Sequence, residues 1–314
     1  MAIEPGPGEP PIDEAPRDYR LSATGLVSRT IQLYGRRILE YITLIGLVGV
    51  LYTLLSLAVL WILYPTQAFD LVELVATDPL SVVLNLLLFA ADPEQALGIV
   101  LVLMVIGMIL LSASAGAAIK IALDDYGQPG ASSLGDSLSY SVSRIVTLIG
   151  VQLLVSLISL AIFLPGFVFA FGIVLLILSG QLVALEMALL AILALIASLA
   201  LLLYVNIRLS AALAVAMAED EGAVNSVKRA WSLSGGNFWH IFGARVLLIL
   251  VILVVGAVIS VFFTDQIFGQ WDVFASSLVV ALLLNPLDYV FAAVLYRDLA
   301  SREMGPTTET QDWW

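Results

Sequence analysis

Three long apolar stretches without a single Lys or Arg dominate the chain: Ile38–Ile119, Ile145–Ile207 and Val246–Tyr296. One bilayer crossing needs about 20 apolar residues, so each stretch is long enough to cross the membrane twice. We therefore predict an all-α integral membrane protein with six transmembrane helices arranged as three hairpins. The predicted crossings are residues 37–64, 96–119, 144–164, 182–207, 244–263 and 274–296.

The basic residues fall between these stretches. All 13 Lys and Arg residues lie outside them. In the connections predicted on the opposite side, every charged residue is acidic, as at Asp70 and Asp265. Translocation of Lys and Arg is disfavoured, so basic residues mark the cytoplasmic side of a membrane protein. The distribution predicts a multi-pass protein of the cell membrane with both termini in the cytoplasm.

A short amphipathic segment precedes each hairpin, with apolar residues on one helical face and polar residues opposite. Helices of this kind lie in the plane of the membrane surface, and we predict three such interfacial helices. Ser133 and Asp136 have capping-box spacing at the start of the second one. The predicted apolar faces are Leu26, Val27, Ile31, Tyr34 and Ile38; then Leu134, Leu138, Val142 and Ile145; then Val224, Val227 and Trp231.

The same order of elements occurs three times, which predicts pseudo-repeats at about residues 21–121, 131–209 and 222–300 of one membrane domain, 21–303. Residues 1–20 are acidic and Pro-rich, and they are expected to be a disordered tail. Residues 304–314 form a second tail. Two apolar pieces, 79–90 and 167–179, are too short to span and are candidates for interfacial or re-entrant helices. An alternative for 167–179 is an extension of the neighbouring helix.

Composition narrows the function classes. The 314 residues are 61% hydrophobic and 12% charged, with a net charge of −12, and this excludes an ordinary soluble globule. The absence of cysteine excludes disulfides, thiolate nucleophiles and Cys-based metal sites. The lone His240, at the start of the fifth crossing, predicts an interfacial histidine rather than a metal ligand. No catalytic, cofactor or nucleic-acid-binding motif is present, so we expect no enzyme, no cofactor and no nucleic-acid partner.

One candidate site lies inside the predicted crossings. Asp288 follows the Asn285-Pro286 step, where Pro286 removes a helix donor and frees a carbonyl beside a carboxylate. Ionisable groups at membrane depth are costly and face a protein interior or a water-filled cavity. Either Asp288 pairs with Arg208 or Arg245 to fix helix packing, or it forms a polar site for a headgroup, cation or proton. The candidate residues of this site are Asp288, Asn285, Asn206, Arg208 and Arg245.

A second candidate set consists of the basic residues at the predicted interfacial helices: Arg36, Arg37, Arg144, Lys228 and Arg229. They are expected either to contact anionic phospholipid headgroups, at about 1 kcal/mol per basic residue near the surface, or only to set the topology. Glu40 lies one turn from Arg36 and Arg37, so a local ion pair is predicted there. Membrane phospholipids are therefore the expected partners, with other membrane subunits or a second copy of the chain.

Several segments resemble a known family: Tyr204–Ser210, Glu219–Gly222, Ala230–Trp239, Asn285–Leu287 and Leu295–Leu299. They are similar to the membrane domain of glycerophosphoryl diester phosphodiesterases and to related polytopic membrane proteins. In those phosphodiesterases, chemistry resides in a separate soluble barrel that uses histidines, acids and a metal. This chain carries one histidine and no such barrel, so the resemblance implies the membrane part alone.

These observations favour a non-enzymatic polytopic membrane protein that works as a scaffold or a lipid-associated module. The alternative is a transporter or channel for a small solute or ion, with a polar path around Asp288. A path of that kind requires polar groups from several helices to converge.

Overall fold

The computed structural model describes residues 20–63, 93–128, 132–179, 185–263 and 272–303, together with Gly130, and every regular element among them is helical. Both predicted tails and the candidate segment 79–90 lie outside these residues, apart from Arg20. The helices are α1 (Ala23–Arg36), α2 (Ile38–Tyr41), a π-helical turn (Ile42–Leu47), α3 (Val48–Leu63), α4 (Pro93–Gly127), α5 (Leu134–Ser143), α6 (Ile145–Leu178), α7 (Leu185–Arg208), α8 (Ala212–Ala218), α9 (Ala223–Leu233), α10 (Phe238–Ser260) and α11 (Asp272–Glu303).

The described residues contain six helical stretches that are long and apolar enough to cross a membrane, as predicted. We number them span 1 (Ile38–Val59), span 2 (Leu101–Gly127), span 3 (Ile145–Leu176), span 4 (Leu185–Ala218), span 5 (Phe238–Ser260) and span 6 (Phe274–Glu303). Span 1 combines α2, the π-helical turn and α3, and span 4 combines α7 and α8.

Residues 167–178 extend span 3 rather than forming a separate re-entrant helix, which confirms the alternative prediction. Helix α6 runs without a break from Ile145 to Leu178 and contains Pro165. Pro165 removes one hydrogen-bond donor from this helix. The next residue, Gly166, has no side chain, so Ser198 of span 4 packs closely against the helix at this point. Neighbouring helices of this kind make proline tolerable within an apolar helix.

Consecutive spans contact one another. We call spans 1 and 2, spans 3 and 4, and spans 5 and 6, each with the short helix before it and the residues up to the next such helix, units 1, 2 and 3. The contacts within each unit run in opposite directions along its two spans. In each pair, a residue near the start of the first span contacts one near the end of the second. A residue farther along the first span contacts one earlier in the second. These contacts are Arg37 with Asp125 and Tyr52 with Leu103 in spans 1 and 2; Ser159 with Asn206 and Gly166 with Ser198 in spans 3 and 4; and His240 with Asp298 and Arg245 with Asp288 in spans 5 and 6.

Spans 2 and 6 form the centre of the bundle. In the most apolar window of span 6, 50% of the residues are buried, and 44% in span 2, compared with 11% in spans 3 and 4. The buried core is concentrated where the basic residues lie, which we call the basic end. It includes Ala115–Ala118, Ile207, the short helix α8 and Val290–Tyr296. Spans 3 and 4 therefore leave most of their apolar surface outside the protein.

Helix α1 lies lengthwise against span 6 rather than across its end. The Leu21 amide donates to Asp298 Oδ1 at 2.7 Å, and the Tyr34 hydroxyl donates to the Leu283 carbonyl at 2.6 Å. At 1.5 Å per residue, these two contacts are about 20 Å apart along the α1 segment and about 20 Å apart along span 6, and the two segments run in opposite directions. Burial raises the pKa of the Tyr34 phenol to about 12, so it stays protonated and keeps donating at physiological pH.

The junctions before spans 1, 3 and 5 have the same local structure. Arg37, Arg144 and Asn237 share one backbone conformation, with φ of −131°, −104° and −107° and ψ of 39°, 11° and 13°. Two residues later comes a strongly exposed apolar side chain, and two residues after that a fully buried one. The exposed residues are Leu39 at 76%, Val146 at 82% and Trp239 at 77%; the buried residues are Tyr41, Leu148 and Ile241.

The helices before these junctions also repeat one another. Seven residues before the junction each carries a buried small side chain: Thr30, Ser137 and Ala230. Several residues of the predicted apolar faces are instead exposed outside the protein, namely Ile31, Val142, Val224 and Trp231. The buried residues of α5 are both small, and α9 buries two small residues with Leu233, whereas α1 buries Thr30 together with large apolar residues such as Leu26 and Leu33. Small side chains at these contacts let helices approach closely. The exposed apolar residues of the three helices remain available to surroundings outside the chain.

The close approach of spans 1 and 6 generates a prediction. A Cβ added at Gly46 would overlap the Leu282 carbonyl oxygen, whereas one added at Gly49 would meet no atom within 4 Å. We expect Gly46→Ala to destabilise the protein by about 1–3 kcal/mol through overpacking. Gly49→Ala is the matched control and should be neutral or slightly stabilising. Thermal unfolding in mild detergent measures both, and equal melting temperatures would contradict the close approach.

Candidate functional site

The Arg37 guanidinium connects three segments at the first junction. Its Nε lies 3.2 Å from Asp125 Oδ1 at the end of span 2, and its Nη1 donates to the Ser132 carbonyl at 2.8 Å. Nη1 also lies 3.0 Å from Glu40, which confirms the predicted local ion pair. Asp125 is 2% exposed and accepts a further hydrogen bond from the Gly130 amide. Gly130 has a φ of +82°, a conformation that glycine adopts without strain.

Arg144 makes the corresponding contacts at the second junction. It forms an ion pair with Asp220, and its Nη2 donates to the Glu221 carbonyl at 2.8 Å. Asp220 is exposed, in contrast to Asp125. Exposed ion pairs contribute about 0–1 kcal/mol, so at this junction the Glu221 carbonyl is the more informative partner.

At the third junction, the corresponding carboxylate is Asp298 of span 6, which is fully buried. Its Oδ2 accepts from Arg302 Nε at 2.9 Å and lies 3.0 Å from His240 Nε2, while its Oδ1 accepts from the Leu21 amide. Arg302 Nη2 also donates to the Leu21 carbonyl at 2.6 Å. The unit that ends the fold is thereby joined to the helix that begins it.

These contacts follow one rule. At each of the three places, one arginine binds two groups. The first is a carboxylate at the end of the unit, and the second is the backbone carbonyl of the residue immediately before the N-cap of a helix. The three carbonyls are those of Leu21, Ser132 and Glu221, and the caps that follow are Ser22, Ser133 and Gly222. The predicted cap at Ser133 is confirmed, since its hydroxyl accepts from the Asp136 amide. We call these three arrangements the arginine clamps; they link unit 1 to 2, 2 to 3, and 3 to 1.

The clamps account for two of the five predicted headgroup-binding residues, Arg37 and Arg144. Arg229 is also engaged inside the protein, at 3.0 Å from Glu219 and 2.6 Å from Glu303. Hydrogen bonding to Glu303 raises the pKa of the Arg229 guanidinium above its usual range. Arg36 and Lys228 are exposed and make no ion pair with any residue that the structure describes. Sequence reasoning could not find the carboxylate partners Asp125, Asp220 and Glu303 because they are distant along the chain from the arginines that bind them.

The predicted intramembrane site divides into three separate places. Arg245 Nη1 lies 2.9 Å from Asp288 Oδ1, which confirms the pair given as the packing alternative. Both side chains are partly exposed, and Asn285 is exposed in the same helix. Asn206 instead donates to Ser159 at 3.3 Å, within the pair of spans 3 and 4.

Arg208 belongs with the helix before the third junction. It donates to the Ser234 hydroxyl and the Trp231 carbonyl, at 3.1 and 2.6 Å. Its guanidinium also lies 3.9 Å from the centre of the Trp231 ring, within the range of a cation–π contact. Arg208 therefore anchors helix α9 to span 4 and is not a partner of Asp288.

The polar groups of the clamps are occupied in ways that limit their chemistry. Asp298 accepts from the Leu21 amide and the Arg302 guanidinium and also contacts His240, which leaves its carboxylate poorly placed to act as a general base. Within the described ranges, no group of three or more His, Cys, Asp or Glu side chains is arranged to hold a metal ion. His240, predicted as an isolated interfacial residue, has Asp298 as its partner.

Comparisons with known proteins add no assignment to this geometry. No protein family, no curated protein and no solved structure matches the chain. The functional argument consequently depends on the contacts, burial and charges described above.

The first clamp generates a prediction. Arg37→Gln leaves the buried Asp125 carboxylate without a cationic partner, and breaking a buried pair in this way costs about 3–5 kcal/mol. Arg36→Gln removes the same charge one residue earlier, at an exposed position, and should change stability by less than about 0.5 kcal/mol. Chemical unfolding in detergent compares the two variants. Equal stability of both would show that Asp125 does not depend on Arg37.

Proposed function

We propose that the chain is a non-catalytic multi-pass membrane protein that works as a scaffold or a lipid-associated module. The observation that carries this proposal is the use of the ionisable groups at the basic end. Arg37, Arg144, Asp125, Asp298 and Arg302 join the three units to one another. Groups held in this way give a fixed framework rather than a site that binds and releases a substrate.

The outer surface supports the same proposal. Spans 3 and 4 pack mainly on each other and expose apolar side chains along most of their length, including Leu157, Leu189, Leu193 and Ile196. In a bilayer this surface contacts acyl chains, other membrane subunits or a second copy of the chain. A helix pair attached to a well-packed centre and largely exposed is suited to holding a partner.

The proposed orientation places the basic end in the cytoplasm. The junctions before spans 1 and 3 both carry arginine, and Lys228 and Arg229 precede span 5. Exclusion of Lys and Arg from translocated loops supports cytoplasmic termini in the cell membrane. The resemblance to the membrane domain of glycerophosphoryl diester phosphodiesterases fits the same proposal of a membrane module.

A transporter or channel is the second candidate, and one observation favours it. The Arg245–Asp288 pair is partly exposed within spans 5 and 6, beside the exposed Asn285. Polar groups at membrane depth commonly mark a path for ions or protons. However, Asn206 and Arg208, the other polar residues expected to line that path, lie elsewhere in the bundle. Transport would require Asp288, whereas the scaffold role requires it only for packing.

The orientation can be tested directly because the natural chain contains no cysteine. We expect Thr77→Cys, Gln181→Cys and Gln266→Cys to react with a membrane-impermeant maleimide in intact cells. Gln128→Cys, Ser139→Cys and Ser232→Cys should react only after the membrane is permeabilised. The second set is the matched control for the first, since all six substitutions add the same thiol. Labelling of the second set in intact cells would contradict a cytoplasmic basic end.

A further inference from the structure

We propose that one anionic phospholipid binds along the seam between α1 and span 5, with its headgroup at the basic end. This inference depends on the lipid association proposed above and specifies its location and chemistry. It involves a polar cleft, an apolar groove and the line that joins them. Its residues differ from the interfacial cations that the sequence singled out.

The polar cleft has a volume of about 390 Å³ and is lined by Arg20, Ser232, Leu233, Gly235, Asn237, Leu299, Arg302 and Glu303. Arg20 is held at the cleft by the Ser301 carbonyl, at 3.4 Å. Arg302 uses Nε for Asp298 and Nη2 for the Leu21 carbonyl, and Nη1 makes no hydrogen bond to any described residue. Two guanidinium groups at one cleft are suited to a phosphate, whose oxygens accept several charge-assisted hydrogen bonds.

Among the described residues, the two carboxylates near the cleft are both paired inside the protein. Both carboxylate oxygens of Glu303 accept from Arg229, at 2.8 and 2.6 Å, and Arg229 also pairs with Glu219. Asp298 pairs with Nε of Arg302 and contacts His240, which leaves Nη1 of Arg302 for an anion. Helix α10 begins beside the cleft, and the Asn237 side chain does not cap it. The positive end of this 23-residue helix therefore adds to the attraction for an anion.

The apolar groove has a volume of about 560 Å³ and lies between α1 and span 5. Its walls are Thr24, Val27, Ser28 and Ile31 from α1 and Leu247, Leu250, Val251, Val254 and Val255 from span 5. Only two of these nine side chains carry a polar atom, and both are hydroxyls. A groove of this composition within a membrane-spanning region is suited to an acyl chain.

The cleft and the groove lie on one line. On span 5, Asn237, His240, Gly243, Leu247 and Val251 recur every three or four residues, so they share one helical face. On the other wall, Arg20 lies just before the Ser22 cap of α1, and Ala23 at the start of that helix lies beside Gly243. The same face of span 5 thus leads from the cleft into the groove.

The length of this line matches one lipid molecule. From Asn237 to Val251 is 14 residues of α10, or about 21 Å at 1.5 Å per residue. One leaflet of a bilayer, with its headgroups, is about 20–22 Å thick, half of the total. A single phospholipid therefore reaches from the guanidinium groups to the middle of the groove. The cleft selects for negative charge, and the groove selects for an acyl chain over a soluble phosphate.

The test is native mass spectrometry of the full chain after exchange into detergent containing phosphatidylglycerol or phosphatidylcholine. We expect one retained phosphatidylglycerol per chain and little retained phosphatidylcholine. Arg20→Gln should lower phosphatidylglycerol retention about tenfold, as expected for the loss of a charge-assisted contact. Leu250→Trp should lower retention similarly, because the indole fills the groove. An excess of soluble glycerol phosphate should not displace the lipid.

Two matched controls make the result specific. Arg36→Gln removes an exposed charge at the same end, and Leu253→Trp places the same bulk on span 5 outside the groove lining. Both should retain the lipid, and all four variants should keep the thermal stability of the natural chain. Retention in Arg20→Gln and Leu250→Trp that is unchanged from the natural chain would overturn the seam but leave lipid association intact. Displacement by glycerol phosphate would indicate a phosphate site, and a lipid-free natural chain would overturn the lipid association itself.

Discussion

The fold depends on buried carboxylates near the ends of spans 2 and 6. Asp125 and Asp298 are almost completely removed from solvent, and an uncompensated charge in such a place costs several kcal/mol. Each is neutralised by an arginine that also binds the carbonyl preceding the next helix cap. Charge neutralisation and helix placement are therefore achieved by the same side chain, and loss of either partner would release both.

The three clamps are unequal, and the difference parallels the packing of the units. Asp220, the carboxylate of the second clamp, is exposed, so its contribution to stability is small. The spans of that unit, 3 and 4, are also the least buried in the bundle. The centre formed by spans 2 and 6 is the most buried part of the bundle, and spans 3 and 4 leave the largest share of their residues exposed to lipid or to a partner.

Those features of the fold that depend on local hydropathy could be predicted from the sequence. The six spans follow from apolar length, the Ser133 cap from its spacing to Asp136, and the Arg37–Glu40 pair from helical periodicity. The clamps could not be predicted, because Leu21 and Asp298 are 277 residues apart and no local pattern pairs them. The apolar face of α1 was recognised, but periodicity does not state what a face contacts, so its alignment along span 6 was missed. The shared junction at Arg37, Arg144 and Asn237 was hidden because the third unit has no arginine at that position.

The most direct test of this account is a double-mutant cycle on the third clamp, measured by chemical unfolding in detergent. Asp298→Asn and Arg302→Gln each remove one of two side chains of span 6 that bind the Leu21 backbone and so join the last unit to the first. The two side chains also pair with each other, four residues apart in the same helix. If the pair closes the fold, the two effects should be non-additive, with a coupling energy above about 1 kcal/mol. Additive effects would show that the two residues act independently and would contradict the role of the clamps.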